Sequence, residues 1–117
     1  MNQVVEEFLI KIRDSGKFIT LASTIDDFLY KEDSSDYIII RPVNSDEFQI
    51  EVTKQKTEEG IDYIFNPVVI TDDENEFKLN LNVKTKKQLD MLVNITADSL
   101  KKYSHLKRYG STLKNLL

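Results

Sequence analysis

The chain has 117 residues, 40% of them hydrophobic and 31% charged, which suffices for one compact domain with its own core and argues against disorder. It has no cysteine, so disulfides, thiolate metal sites and cysteine nucleophiles are excluded. Its net charge of −4 hides a division: residues 1–83 hold 8 of the 16 Lys and Arg and 18 of the 20 Asp and Glu, a balance of −10, whereas 84–117 hold 8 basic and 2 acidic residues, a balance of +6. Such asymmetry marks either a charged partner surface or an acidic sheet and a basic helix that neutralise each other within one fold.

Val4, Val5, Phe8, Leu9 and Ile12 recur at helical spacing, Asn2 can cap them, and Ser15-Gly16 ends the run, predicting an amphipathic helix over 3–14. Phe18 to Leu21 reads as a short strand, and Thr24 opens a helical turn over Ile25 to Leu29. From Asp36 the period changes to two. Tyr37 to Val43, Phe48 to Lys54, Ile61 to Ile70 and Phe77 to Val83 are β-rich runs separated by polar turns.

In the last run Phe77, Leu79, Leu81 and Val83 alternate with Lys78, Asn80, Asn82 and Lys84, so one sheet face is apolar and the other solvated. Pro67 interrupts the third run and predicts a bulge or an edge position, because proline donates no ladder hydrogen bond. Thr85 and Gln88 match a capping box that starts a long C-terminal helix. On its wheel Leu89, Leu92, Val93, Thr96, Leu100 and Tyr103 share one face, with Ile95 and Leu106 at the margin.

The expected fold is therefore α+β: an N-terminal helix, a four- to five-stranded antiparallel meander, and a long C-terminal helix packed on one sheet face. There is no internal repeat or linker, so 1–117 reads as a single domain. The N-terminus is acidic where a signal peptide needs a basic region, and no apolar run reaches membrane-spanning length, so a soluble, cytoplasmic protein is expected. Abundant Ile, Lys and Asn suit an AT-rich bacterial or phage genome.

Few constellations carry chemistry. The single histidine, His105, falls with Asn94, Asp98, Lys101 and Lys102 on the polar face near a helix C-terminus, where the dipole favours it without any catalytic role. The acidic run Asp72-Asp73-Glu74-Asn75-Glu76 offers oxygen ligands but lacks the spacing and glycine of an EF-hand, and Asp26, Asp27, Glu32, Asp33 and Asp36 read the same way. Asp62 with Glu76-Phe77-Lys78 fits the loose pattern of a magnesium-dependent nuclease no better than chance. Three glycines cannot build a GxGxxG or Walker loop, and no GxSxG elbow is present. No catalytic residue, metal ligand or cofactor is expected.

Binding remains. The expectation is a non-enzymatic protein-binding module, of the kind found among inhibitors, immunity proteins and regulators, touching its partner through Lys101, Lys102, His105 and Arg108 and through Leu113, Leu116 and Leu117 of a tail over 111–117. Gly110 is expected to end the helix, after which three leucines on one short face invite a partner or a second subunit, or fold back over the domain's own core. The alternatives are a nucleic-acid binder using the basic helix, with Tyr103 and Tyr109 stacking on bases, and an acidic sheet half that imitates nucleic acid.

Overall fold

The computed structural model describes residues 3–33, 35–70 and 76–117. Helix α1 (Gln3–Ser15) buries Val5, Phe8, Leu9 and Ile12, the predicted stripe. It stops where Ser15 Oγ donates back to the Ile12 carbonyl (2.8 Å) and Gly16 enters the left-handed region at φ +69°, which L side chains rarely adopt. Strand β1 (Phe18–Leu21) follows, then α2 (Ile25–Tyr30), capped by Thr24 Oγ1 accepting from the Asp27 N–H at 3.1 Å. Tyr30 and Asp26 on α2 reach α1: the Tyr30 hydroxyl donates to Glu6 (2.6 Å) and the Arg13 guanidinium pairs with Asp26.

The sheet is an antiparallel meander of β1, β2 (Tyr37–Pro42), β3 (Phe48–Thr57) and β4 (Gly60–Ile70), completed by β5 (Glu76–Lys78) and β6 (Leu81–Val83), both paired with β4. Strands β5 and β6 share one register on β4, with Lys78 opposite Val68 and Leu81 opposite Phe65, so they are one strand interrupted opposite Pro67. The Leu79 N–H still donates to the Pro67 carbonyl (3.3 Å), but Pro67 has no N–H to return. The expected bulge or edge position is thus corrected. The β3–β4 register runs without an extra residue, β4 is an interior strand, and the missing donor breaks the neighbouring strand instead.

One face of the sheet carries Ile38, Ile40, Phe48, Ile50, Val52, Tyr63, Phe65, Val69 and Val83, all buried, with Leu79 and Leu81 packed against them. The helices cover this face. Phe8 of α1 meets Phe65 with ring centroids 6.2 Å apart, and Phe28 of α2 meets Tyr63 edge-on at 6.1 Å.

Helix α3 (Lys86–Lys101) starts at the predicted capping box: Thr85 Oγ1 accepts from the Gln88 N–H (3.2 Å) and Gln88 Oε1 accepts from the Thr85 N–H (3.1 Å). Thr85→Ala leaves one of these donors without its partner and is expected to lower stability by about 1 kcal/mol in denaturant unfolding; a change below a few tenths would mean that the box contributes nothing.

The expected long C-terminal helix is present, but it ends sooner than its wheel suggested and a second helix follows it. Helix α3 ends at Lys101, the backbone turns extended at Tyr103, and a 3₁₀ turn (Ser104–Leu106) leads into a second helix, α4 (Lys107–Asn115). The reason is burial. On a straight continuation Tyr109, Leu113 and Leu116 would fall about 180–240° round the wheel from Leu89, on the solvent side. The turn brings them back: Leu113 is 1% exposed, and Tyr109 is buried with its ring 6.5 Å from that of Phe48. Gly110, expected to end a helix, lies inside α4, where its Cα faces Ala97 of α3 so closely that an added Cβ would stand 3.2 Å from the Ala97 Cα. No helix among the described residues is long and apolar enough to cross a membrane.

Candidate functional site: a basic helical hairpin

The residues expected to meet a partner separate into two groups. Lys101, Lys102, His105 and Arg108 stay at the surface, on the corner between α3 and α4. Leu113 does not: it belongs to the hydrophobic core, and Leu116 and Leu117 lie partly buried against it, beside Val4, Phe8 and Leu89. Of the two readings of the tail, folding back is the one found, and the exposed leucine face of 111–117 is not formed. Residues 111–115 are part of a helix rather than a tail.

The corner is more basic than the charges paired within the fold account for. Among the described residues Lys84 pairs with Asp62 (3.4 Å), Lys86 with Asp90 (2.9 Å) and Lys101 with Asp98 (3.6 Å), while Lys87, Lys102, Lys107, Arg108 and Lys114 have no carboxylate within reach. Among the described residues, the contacts between the two halves that pair a basic side chain with a carboxylate are Lys84 with Asp62 and His105, whose Nε2 lies 2.7 Å from Glu47 Oε2. Lys101, Lys107 and Lys114 line a groove of about 680 Å³ over the α3–α4 contact, whose other lining residues are Ala97, Gly110 and Ser111. Lys107, which a straight wheel places among apolar residues, is exposed here because α4 is a separate helix with its own phase.

His105 stands on the 3₁₀ turn, not on the polar face of a long helix, and sequence reasoning missed its partner Glu47 because 58 positions separate them. Ser45 is near in the same hollow, but its hydroxyl accepts from the Glu47 N–H (3.2 Å) and makes no hydrogen bond to His105, so no relay from serine to histidine to carboxylate is assembled.

The nuclease-like trio is taken apart. Asp62 sits at one end of β4, where it accepts from Asn82 Nδ2 and pairs with Lys84, whereas Glu76 faces Ile70 at the other end, about 26 Å away along the strand. Glu76 and Lys78 pair with each other at 3.1 Å. Of the acidic runs, Asp72 to Asn75 lie outside the described residues, Asp26 is committed to Arg13, and no group of three potential ligands converges among the described residues.

Among the described residues, no helix lies over the other face of the sheet. The Tyr37 hydroxyl (2.9 Å), Gln49 Nε2 (3.3 Å) and Asn66 Nδ2 (3.2 Å) all donate to the Glu51 carboxylate, and Arg41 donates to Gln49 Oε1 (2.9 Å). Burial and the bond to Glu51 both push the Tyr37 phenol above its usual range. Among the described residues of this face, Glu51, Asp62 and Glu76 are thus each engaged by a neighbour.

Lys54 lies on the covered side of the sheet, in line with Phe48, Ile50 and Val52. It donates to the Phe28 carbonyl, its Nζ lies 4.7 Å from the Phe28 ring centroid, and burial lowers its pKa.

The fold and surface define a two-layer α+β protein: a meander covered on one face by helices, with a basic helical hairpin at one end. Compared with protein-family models, with curated proteins and with solved structures, the chain shows no significant match.

Proposed function

We propose that the protein is a non-enzymatic binding module that docks the basic hairpin of α3 and α4 against an acidic surface of another protein. One observation carries this reading: Lys101, Lys107 and Lys114 line one groove, and Lys102, Lys107, Arg108 and Lys114 are exposed with no carboxylate partner among the described residues, in a chain that has more acids than bases. Unpaired like charges held close repel one another, and a complementary surface relieves that repulsion while steering the encounter.

A protein fits better than a nucleic acid. Tyr103 and Tyr109, the rings that would stack on bases, are packed inward, Tyr109 against Phe48, and Asp90 and Asp98 flank the lysines of α3. The groove of Lys101, Lys107 and Lys114 is the feature that favours the second reading, in which three lysines follow a phosphate backbone.

Capture from a lysate on the immobilised chain, read by mass spectrometry, separates the two. The expected result is one specific protein, eluted by salt and lost with Lys102→Glu combined with Lys107→Glu and Lys114→Glu. Recovery of no specific protein counts against the reading. Retardation of labelled DNA or RNA that falls with salt with a slope of roughly −2 to −3, and is abolished by the same substitutions, would replace it with the second.

A further inference from the structure

A second basic feature lies on the opposite flank of α4 from the lysine groove. The α1–β1 turn (Gly16, Lys17, Phe18), the start of the β2–β3 connection (Val43, Asn44) and α4 (Arg108, Tyr109, Thr112) enclose a cleft of about 350 Å³. That volume is in the range of small-molecule sites, roughly 300–1,000 Å³. We propose that this cleft binds a small aromatic phosphomonoester.

The charge of the cleft sets the anion. Lys17 from one wall and Arg108 from the other are cationic, and neither has a carboxylate partner among the described residues. A phosphomonoester carries about −1.5 to −2 at neutral pH and answers both cations. A monocarboxylate would leave one of them unmatched. Arg108 is held in place: its Nη2 donates to the Tyr109 hydroxyl at 2.6 Å, and Cζ lies 4.8 Å from the Tyr109 ring centroid. That bond uses one of the five guanidinium N–H donors and leaves the others for a tetrahedral anion. The Asn44 side chain adds a neutral amide to the lining.

The remaining lining sets the organic part. Phe18 and Val43 supply the open apolar wall, half of the Val43 surface being exposed to solvent, while the Tyr109 ring, between Phe48 and Arg108, closes the floor of the cleft. Flat rings prefer such walls, through stacking and the removal of apolar area from water. Two of the cleft walls are tied together directly, since the Val43 N–H donates to the Lys17 carbonyl (3.1 Å), and within the third wall Thr112 Oγ1 donates to the Arg108 carbonyl of α4 (2.9 Å).

The proposal shares Arg108 with the protein-binding surface but does not rest on that reading, because Lys17, Phe18, Val43 and Asn44 lie outside the hairpin. Titration of the full chain, followed by ¹⁵N–¹H correlation spectra, tests it with phenyl phosphate and adenosine monophosphate, with inorganic phosphate and adenosine as controls. The expected result is saturable shifts at Gly16, Lys17, Val43, Asn44, Arg108 and Thr112 with at least one of the two esters and none with adenosine. Inorganic phosphate should bind the same residues about tenfold more weakly. Lys17→Gln and Arg108→Lys should each weaken the ester about tenfold, the loss of one charge-assisted bond, with the rest of the spectrum unchanged.

No saturable shift at the cleft with either ester, corresponding to a Kd above about 1 mM, overturns the proposal. Equal binding of inorganic phosphate and the better ester overturns it too, since the apolar wall would then recognise nothing. Shifts that survive Lys17→Gln have the same consequence. That side chain makes no described hydrogen bond or ion pair, so its variant remains informative should Arg108→Lys disturb α4.

Discussion

Leu113→Ala is expected to destabilise the protein by about 2–5 kcal/mol, a fall in Tm of roughly 10 °C or more for a chain of this size. Leu113 is 1% exposed, in the cluster that Tyr109, Leu106 and Phe48 share. Removing its three outer carbons loses their transfer free energy and leaves a cavity that strand β3 and helix α3 cannot close without breaking their own ladders. Leu116→Ala is the internal control: its side chain is only partly buried, so the loss should be about half as large or less. Urea unfolding of both variants measures the difference. A Leu113→Ala change within about 0.5 kcal/mol of zero would return this leucine to the surface and revive an interaction tail.

Gly110→Leu should be nearly as damaging, at about 1–3 kcal/mol or more, because the helices α3 and α4 approach where neither can give. A Cβ at this position meets the Ala97 Cα at 3.2 Å, its Cβ at 3.4 Å and its carbonyl oxygen at 3.4 Å, and two of these three are backbone atoms. Gly110→Ala tests the same contact with opposing terms. Alanine gains up to about 1 kcal/mol of helix propensity over glycine and spends it against that contact, so a net effect near zero is expected. If Gly110→Leu unfolds at the wild-type denaturant concentration, the two helices do not pack in this way. Loss of cooperativity with retained helix content would instead mean that the hairpin opens while the sheet survives.

Much of the fold was legible because it depends on local periods. The stripe of α1, the Thr24 cap, the box at Thr85 and Gln88, and the alternation of Leu79, Leu81 and Val83 are all statements about neighbours a few residues apart, and the structure places them as expected. The C-terminal hairpin was harder, since Lys102-Tyr103-Ser104 contains neither glycine nor proline to announce a break. The available signal was a phase change: Tyr109, Leu113 and Leu116 form a second apolar stripe displaced from that of Leu89 to Leu100, and one straight helix cannot bury both. Ala97, off the first stripe and yet 2% exposed, is covered by α4 for the same reason.

The candidate site was half legible. That Lys101, Lys102 and Arg108 stand at the surface follows from their run in the chain, whereas Lys107 and Lys114 join them only because α4 is a separate helix that doubles back. Glu47 beside His105, and Lys17 facing the same cleft as Arg108, are products of chain reversal that no spacing encodes.

The sequence by itself determined the class of fold, the helix caps at Thr24 and Thr85, the apolar face of the sheet, and the segregation of charge between its two parts. These rest on hydrophobic periodicity and capping chemistry, which act within about one or two turns of chain. Only the tertiary structure decided that Pro67 breaks its neighbour rather than its own strand, that Gly110 is a helix contact, that Leu113 is core with Leu116 and Leu117 packed against it, and that Lys17 and Arg108 share a cleft. Each of those depends on which distant segment packs alongside, and that choice is made by burying the apolar surface of the whole chain at once.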